Sequence, residues 1–420
     1  MLVSYQKVIS FLFYFLIVII FLKLSESLFF YNRILDLSAI LLIPAFAGIL
    51  LVQQSATGKA VKRNSVLVYF LFSFFFTGSL ALILQYHFLI DRYDLYGRSA
   101  LGDTRQTWFL MMAWLVVGAA VSNAHINRSL ISPILMVGLA AWLTYNNLLA
   151  NSLTVDYRKI ASMVGIEQMS HLGFGDYFTL IFFVSYVIIV RAGRFIVLGL
   201  FLFVQFAFGG RADFIFGLAS IFIFEFISYG YSVRRLISYF SYVFVILGSV
   251  YVGSVFVRQS NGNVDPYLII LSDLEQDSSY IKRLEAFTGA ISDLPAQLLF
   301  GDSTLIVQNF GSVGAYMHNI LSAWQFFGAP FFLVSVVAII FCSNRLLQVL
   351  RYKNRTLFDD FMIIIFIYSV MSILFAKYIG FPLFWFSIGL WLGRRRHSCD
   401  NEQTLRACES EAKVRRRTSA

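Results

Sequence analysis

Three residues are singled out by type and setting as able to do chemistry: Arg211, Arg283 and His318. Arg211 stands in Phe208-Gly209-Gly210-Arg211-Ala212-Asp213. Paired glycines let the backbone turn sharply between two helices. They also leave the guanidinium uncovered at a helix start, whose partial positive charge suits an anion. The alternative is an interfacial arginine paired with Asp213. Arg283 lies on a stretch of helical periodicity near the expected membrane surface. Taken alone it reads as part of a solvated helix face, paired with Glu285 or Asp277. His318 sits in Tyr316-Met317-His318-Asn319-Ile320-Leu321-Ser322. An imidazole titrates at ~6.5, near operating pH, and so suits proton removal from a hydroxyl. The alternative is an amphipathic residue at a helix end.

Other candidates are weaker. His87 and His171 are single histidines and read as interfacial. Glu225 lies near the inner end of an apolar run and is expected to snorkel to the cytoplasm. Asp91, Arg92, Asp94, Arg98, Asp103 and Arg105 read as a solvated mixed-charge loop. Gly-x-Gly-x-x-Gly, Walker A and His-Glu-x-x-His are absent, so no nucleotide or metal site is expected. Cys342, Cys399 and Cys408 have neither metal-ligand spacing nor a disulfide framework, and fall on the expected cytoplasmic side.

The elements that must position these residues are apolar helices. The chain has 420 residues, 59% of them apolar and 13% charged, with a mean hydropathy of +0.74. A membrane helix takes ~20 apolar residues, so the apolar content matches about twelve helices. This balance excludes a soluble globular domain, a disordered chain, a nucleic-acid binder and an outer-membrane barrel, whose strands alternate. The fold class expected is all-α, a polytopic membrane protein with about 12 transmembrane helices. The apolar runs fall at 8–22, 34–52, 66–90, 108–122, 130–150, 177–190, 194–209, 213–229, 236–257, 318–342, 359–376 and 380–393. The first lacks a following Ala-x-Ala and reads as a membrane helix rather than a cleaved signal. The sixth and seventh are divided only by Arg191 and Arg194.

With both termini cytoplasmic, 21 of the 33 basic residues lie inside and 16 of the 23 acids outside, as the positive-inside rule requires. Residues 1–393 then form the membrane domain and 394–420 a basic cytoplasmic tail. Residues 258–317 form a large periplasmic loop between helices 9 and 10. In that loop Tyr280–Pro295 reads as an amphipathic helix with Ile281, Leu284, Phe287 (or Thr288), Ile291 and Leu294 on one face. That face would rest on the bilayer or on the helix bundle. No internal repeat stands out, which weakens repeat-built transporter folds.

In order along the chain there is a Gly-Gly-Arg211 turn, then a large loop with Arg283 and Asp-Leu-Pro295-Ala-Gln-Leu-Leu-Phe300-Gly301-Asp302-Ser303. His318-Asn319 follows, with Gly328 nine residues after Asn319. This pattern, over about 208–328, resembles the bacterial O-antigen polymerase and O-antigen ligase superfamily, membrane glycosyltransferases with a GT-C-like layout acting on lipid-linked glycans. The chain has Gly210 where many members have Ser, and a sparse His-Asn surround, which tilts the resemblance towards polymerase. The resemblance implies an undecaprenyl-diphosphate-linked oligosaccharide as donor, no metal and no cofactor. Arg211 and Arg283 would grip the diphosphate, since guanidinium forks match phosphate oxygens. His318 would take the acceptor hydroxyl's proton, with inversion at the anomeric carbon. Arg258, Lys282 and Asn319 are the implied substrate-binding residues. The implied partners are the lipid bilayer and a chain-length regulator protein, and the implied location is the bacterial inner membrane with the active site facing the periplasm. The readings beside polymerase are an O-antigen ligase and a repeat-unit flippase or transporter.

Overall fold

A computed structural model describes residues 8–17, 65–88, 99–126, 131–149, 171–190, 193–208, 211–229, 241, 278–297, 299–310, 317–351 and 355–394. All secondary structure among them is helical. The helices are α1 (Val8–Ile17), α2 (Ser65–Phe88), α3 (Ser99–Val121), α4 (Ile131–Leu149), α5 (His171–Ile188), α6 (Arg194–Phe208) and α7 (Arg211–Tyr229). They continue with α8 (Ser278–Asp293), α9 (Ser303–Phe310), α10 (Ser322–Leu350), α11 (Leu357–Phe375) and α12 (Pro382–Gly393). The expected runs recur as these elements, apart from 34–52 and 236–257, which lie outside the described stretches save residue 241. Among the described residues, Leu67–Phe88, Ser322–Leu350 and Leu357–Phe375 are long and apolar enough to cross a membrane.

The helices run up and down between two rims. One rim carries the starts of α5, α7 and α10 and the end of α11, and is called here the His318 rim. The other carries the start of α11 and the ends of α7, α10 and α12, and is called the Arg394 rim. α1 enters at the Arg394 rim, where Ser10 Oγ accepts from the His125 N–H at 3.0 Å and Phe13 packs edge-on to Phe358.

Phe74, Trp108, Phe331 and Trp385 meet in the core, with Phe74 4.9 Å from the Trp108 ring and 4.6 Å from Trp385. α3 and α12 pack backbone to backbone because Gly118 faces the Phe386 carbonyl and Gly389 the Leu115 carbonyl. A Cβ on either would collide with Phe386 O or Leu115 O. Small residues that let helices touch in this way characterise close helix pairs in membranes. α2 by contrast turns Tyr69, Phe72, Phe75 and Phe76 outward.

Candidate functional site

Gly328 shapes the His318 rim. It has φ 83 and ψ 173, a conformation that only glycine adopts without strain, and it divides α10 into a short entry segment and a long shaft. Pro330 follows in the first turn of the shaft, where a missing N–H costs least. Proline cannot donate to the carbonyl four residues back, which leaves Phe326 O without its helical partner. Gln85, from the end of α2, donates through Nε2 to Phe326 O and to Phe300 O, each at 2.6 Å. The loop before α9 crosses the break. Gly301, also at positive φ (71), lies against Phe326 and Phe327, and Gly328 lies against Leu299 and Phe300. Asp302 N–H donates to Gln325 O at 3.0 Å. Asp302 Oδ1 accepts from Thr304 N–H at 2.9 Å and from the Thr304 hydroxyl, capping α9. Residues 299–301 and Gly328 are therefore two sides of one backbone crossing.

His318 and Asn319 form the turn that enters α10. Met317 is fully buried and its N–H donates to Gln325 Oε1 at 3.1 Å. Asn319 Oδ1 accepts from Leu321 N–H at 2.9 Å, and its carbonyl accepts from Ser322 N–H and Oγ at 3.1 and 2.6 Å. These bonds commit Asn319 to holding the turn that presents His318, which is half-buried. α8 packs on the same turn. Phe287, Ala290 and Leu294 meet Met317, Leu321 and Trp324. Phe287 and Leu294 of the expected face thus meet the bundle, while Ile281, Leu284 and Ile291 are exposed. α8 also starts at Ser278, two residues before the expected Tyr280, and ends in a 3-10 turn over Leu294–Gln297. The backbone of Arg283 lies one helical turn before Phe287 in α8.

The connection from α11 to α12 holds a group of residues that the sequence reading passed over. Lys377 Nζ lies 3.0 Å from Asp176 Oδ1 and 3.1 Å from Asp213 Oδ1. Tyr368 donates its hydroxyl to Asp213 Oδ1 at 2.9 Å. Burial alone would push the Lys377 ammonium down, but the two carboxylates outweigh it and hold the pKa above the ordinary lysine range. Asp213 is in the first turn of α7 and Lys377 just follows α11, so each sign suits its helix end. Asp213 Oδ1 is taken by Lys377 and Tyr368; the side chain of Arg211, its expected partner, lies outside the described residues. Two residues on, Ile379 N–H donates to Ser322 Oγ at 2.7 Å, and Ile379 O accepts from Trp385 Nε1 at 2.6 Å.

These bonds join two of the predicted elements. From the Asn319 turn the path runs through Ser322 to Ile379, back to Lys377, and on to Asp213, two residues after Arg211. Arg211 itself opens α7. The side chains of Arg211, Lys282 and Arg283, and all of Arg258, lie outside the described residues. A signal for Lys377 existed in the sequence: a lone lysine in the short turn between two apolar runs.

The Arg394 rim carries its own buried charges. Arg194 Nη1 donates to Glu225 Oε1 at 2.7 Å, and Tyr186 donates its hydroxyl to the same oxygen at 2.9 Å. Glu225 therefore does not snorkel as expected. Arg194 begins α6 and Glu225 is near the end of α7, each at the helix end that disfavours its sign, and the pair compensates both. Arg394 Nη2 donates to Asp359 Oδ1 at 2.6 Å. Asp359 also closes the capping box of α11 with Thr356.

No family model, curated protein or solved structure matches this chain.

Proposed function

We propose that this chain is an O-antigen polymerase: a polytopic inner-membrane glycosyltransferase with about twelve crossings, both termini cytoplasmic and the His318 rim in the periplasm. It moves an oligosaccharide from undecaprenyl diphosphate onto a lipid-linked repeat unit. One observation carries the reading. The helix start bearing Arg211 and the turn bearing His318, far apart in sequence, are tied through Lys377 and Ile379. The packing of α8 on Met317, Leu321 and Trp324 supports adding Arg283 to that rim.

In this mechanism the acceptor hydroxyl attacks the anomeric carbon from the face opposite the diphosphate. The new C–O bond forms as the bond to the diphosphate breaks, and configuration inverts. His318 takes the hydroxyl proton, worth roughly 10²–10⁴-fold. Arg211 and Arg283 hold the departing diphosphate, each charge-assisted bond worth roughly 1.5–3 kcal/mol. The Lys377 pair fixes the first turn of α7, and Asn319 positions His318.

The buried charges favour a second reading, a repeat-unit flippase, because charges inside helices mark transport paths. Here, however, Asp176, Asp213 and Lys377 sit at one rim and Arg194 and Glu225 at the other. They cap helix ends rather than line a route between the rims, and polymerase stays first. The test is a lipopolysaccharide gel from a deletion strain complemented with wild type or His318→Ala. Core bearing a single repeat, with no ladder, in the deletion and in the variant is the expected result. Bare core, with long polymer held on lipid diphosphate, would make the chain a ligase. An unchanged ladder in the deletion would remove both readings.

A further inference from the structure

At the His318 rim one ammonium faces two carboxylates. Asp176, Asp213 and Lys377 are 6%, 1% and 8% exposed. Lys377 is the one cation that the described residues bring to these carboxylates. The other titratable groups facing them among the described residues are tyrosines. Tyr368 donates to Asp213 Oδ1 and is a neutral donor there. Tyr378, beside Lys377, is kept neutral by its burial, with Asp103 and Asp176 adding to that effect. Among the described residues, two ionised carboxylates would leave one negative charge uncompensated in apolar surroundings, which is strongly disfavoured.

A second observation is independent of charge. Asp213 Oδ2 and Gln205 Oε1 are both buried acceptors with no donor among the described residues. Gln205 has no freedom to flip. Its Nε2 hydrogens are used on Gly175 O at 3.0 Å and Thr179 Oγ1 at 2.8 Å, so Oε1 is the atom left over. Both orphan oxygens border the space left by the missing side chain of Gly175. A Cβ there would stand 3.1 Å from Gln205 Oε1 and collide with Asp213 Oδ2. Two acceptors turned towards one gap repel unless a hydrogen lies between them.

We propose that Asp213 carries a proton on Oδ2 and donates it to Gln205 Oε1, making the Lys377–Asp176–Asp213 cluster a neutral, proton-binding site. One proton satisfies both orphan oxygens and the missing positive charge. Asp176 is then the ionised partner of Lys377, and Asp213 Oδ1 stays an acceptor for Tyr368. The site goes beyond the glycan-transfer reading and does not rest on it.

The test is infrared difference spectroscopy of the full chain in detergent, in H₂O and D₂O, reading the carbonyl stretch of a protonated carboxyl group. Wild type minus Asp213→Asn shows one deuterium-sensitive acid band. The amide of that variant keeps the shape and can donate to Gln205 in the proton's place. Asp176→Asn also lacks the band, because one carboxylate then faces one ammonium. Lys377→Gln gains a second band of equal size. Gln205→Leu leaves all charges in place and keeps the band, moved to the higher frequency of an acid without an acceptor. The proposal is overturned by the absence of an acid band from wild type, its persistence in Asp176→Asn, or an unmoved band in Gln205→Leu. A wild-type band abolished by added sodium would put a metal ion where the proton is placed, and overturns it too.

Discussion

Gly328→Ala tests the physical core of the candidate site. At φ 83 and ψ 173 an alanine backbone is strained, at a cost of about 1–3 kcal/mol. The added Cβ would also stand 2.5 Å from Leu299 C and O and 2.6 Å from Phe300 N. These are backbone atoms of a loop pinned by Gln85 and Gln325, so they cannot swing aside, and overpacking costs about another 1–3 kcal/mol. The expected destabilisation is about 2–6 kcal/mol. Gly138 is the control: it is within α4, and a Cβ there meets nothing within 4 Å. Gly138→Ala is expected to be neutral or stabilising by about 0.5–1 kcal/mol. The assay is reversible unfolding of both variants in mixed micelles against denaturing detergent, followed by tryptophan fluorescence. Because the Gly328 crossing also holds Asp302 and Gln325, the variant should lose glycan polymerisation out of proportion to its remaining folded fraction. Equal stability of the two variants would refute the reasoning.

The crossing makes a second prediction. Gln85→Leu removes the donor that Phe300 O and Phe326 O share and should destabilise by about 0.5–1.5 kcal/mol per lost hydrogen bond in the same unfolding assay. At the opposite rim, Arg194→Met should cost about 3–5 kcal/mol, since it takes the ion-pair partner from the buried Glu225 carboxylate, and Glu225→Leu should cost less, because Asp360 also acts on Arg194. The double variant should recover most of that loss, measured as a double-mutant cycle. Asn319→Asp keeps an oxygen for Leu321 N–H and should retain the His318 turn, whereas Asn319→Ala should lose about 1 kcal/mol. In a transferase assay only the alanine variant should show a depressed kcat with an altered pH profile, the sign of a misplaced base.

The helical layout was legible because apolar runs of about twenty residues have few other uses. Their ends were not. α3 begins at Ser99 rather than near 108, continuing through the exposed Asp103 and Arg105. α10 continues to Leu350 because Arg345 reaches back to the carbonyls of Trp391, Leu392 and Arg394 at the end of α12. The period of α8 was legible, and Phe287 and Leu294 of its expected face meet the bundle, but the contribution of Ala290 was not. Ala290 is a small residue that a search for large apolar side chains discounts, yet it sits at the contact, while Ile281, Leu284 and Ile291 face outward. Gly328 was visible only as a spacing, and its reason is a positive φ and a backbone crossing that no local pattern encodes. The Lys377–Asp176–Asp213 group was missed because its members come from three distant segments. Each alone looks like an ordinary polar residue at a helix end. Glu225 was misjudged for the same cause, as its partner Arg194 lies across a helix pair.

The central claim is that this chain joins repeat units on lipid diphosphate. It is tested most directly with purified full-length protein in liposomes, given a polyprenyl-diphosphate-linked repeat unit and read by mass spectrometry. The account predicts a ladder of lipid-linked oligomers, stoichiometric release of polyprenyl diphosphate, an inverted anomeric linkage, and loss of all three in folded His318→Ala. Wild-type protein that carries the repeat unit across the bilayer without lengthening it would contradict the account.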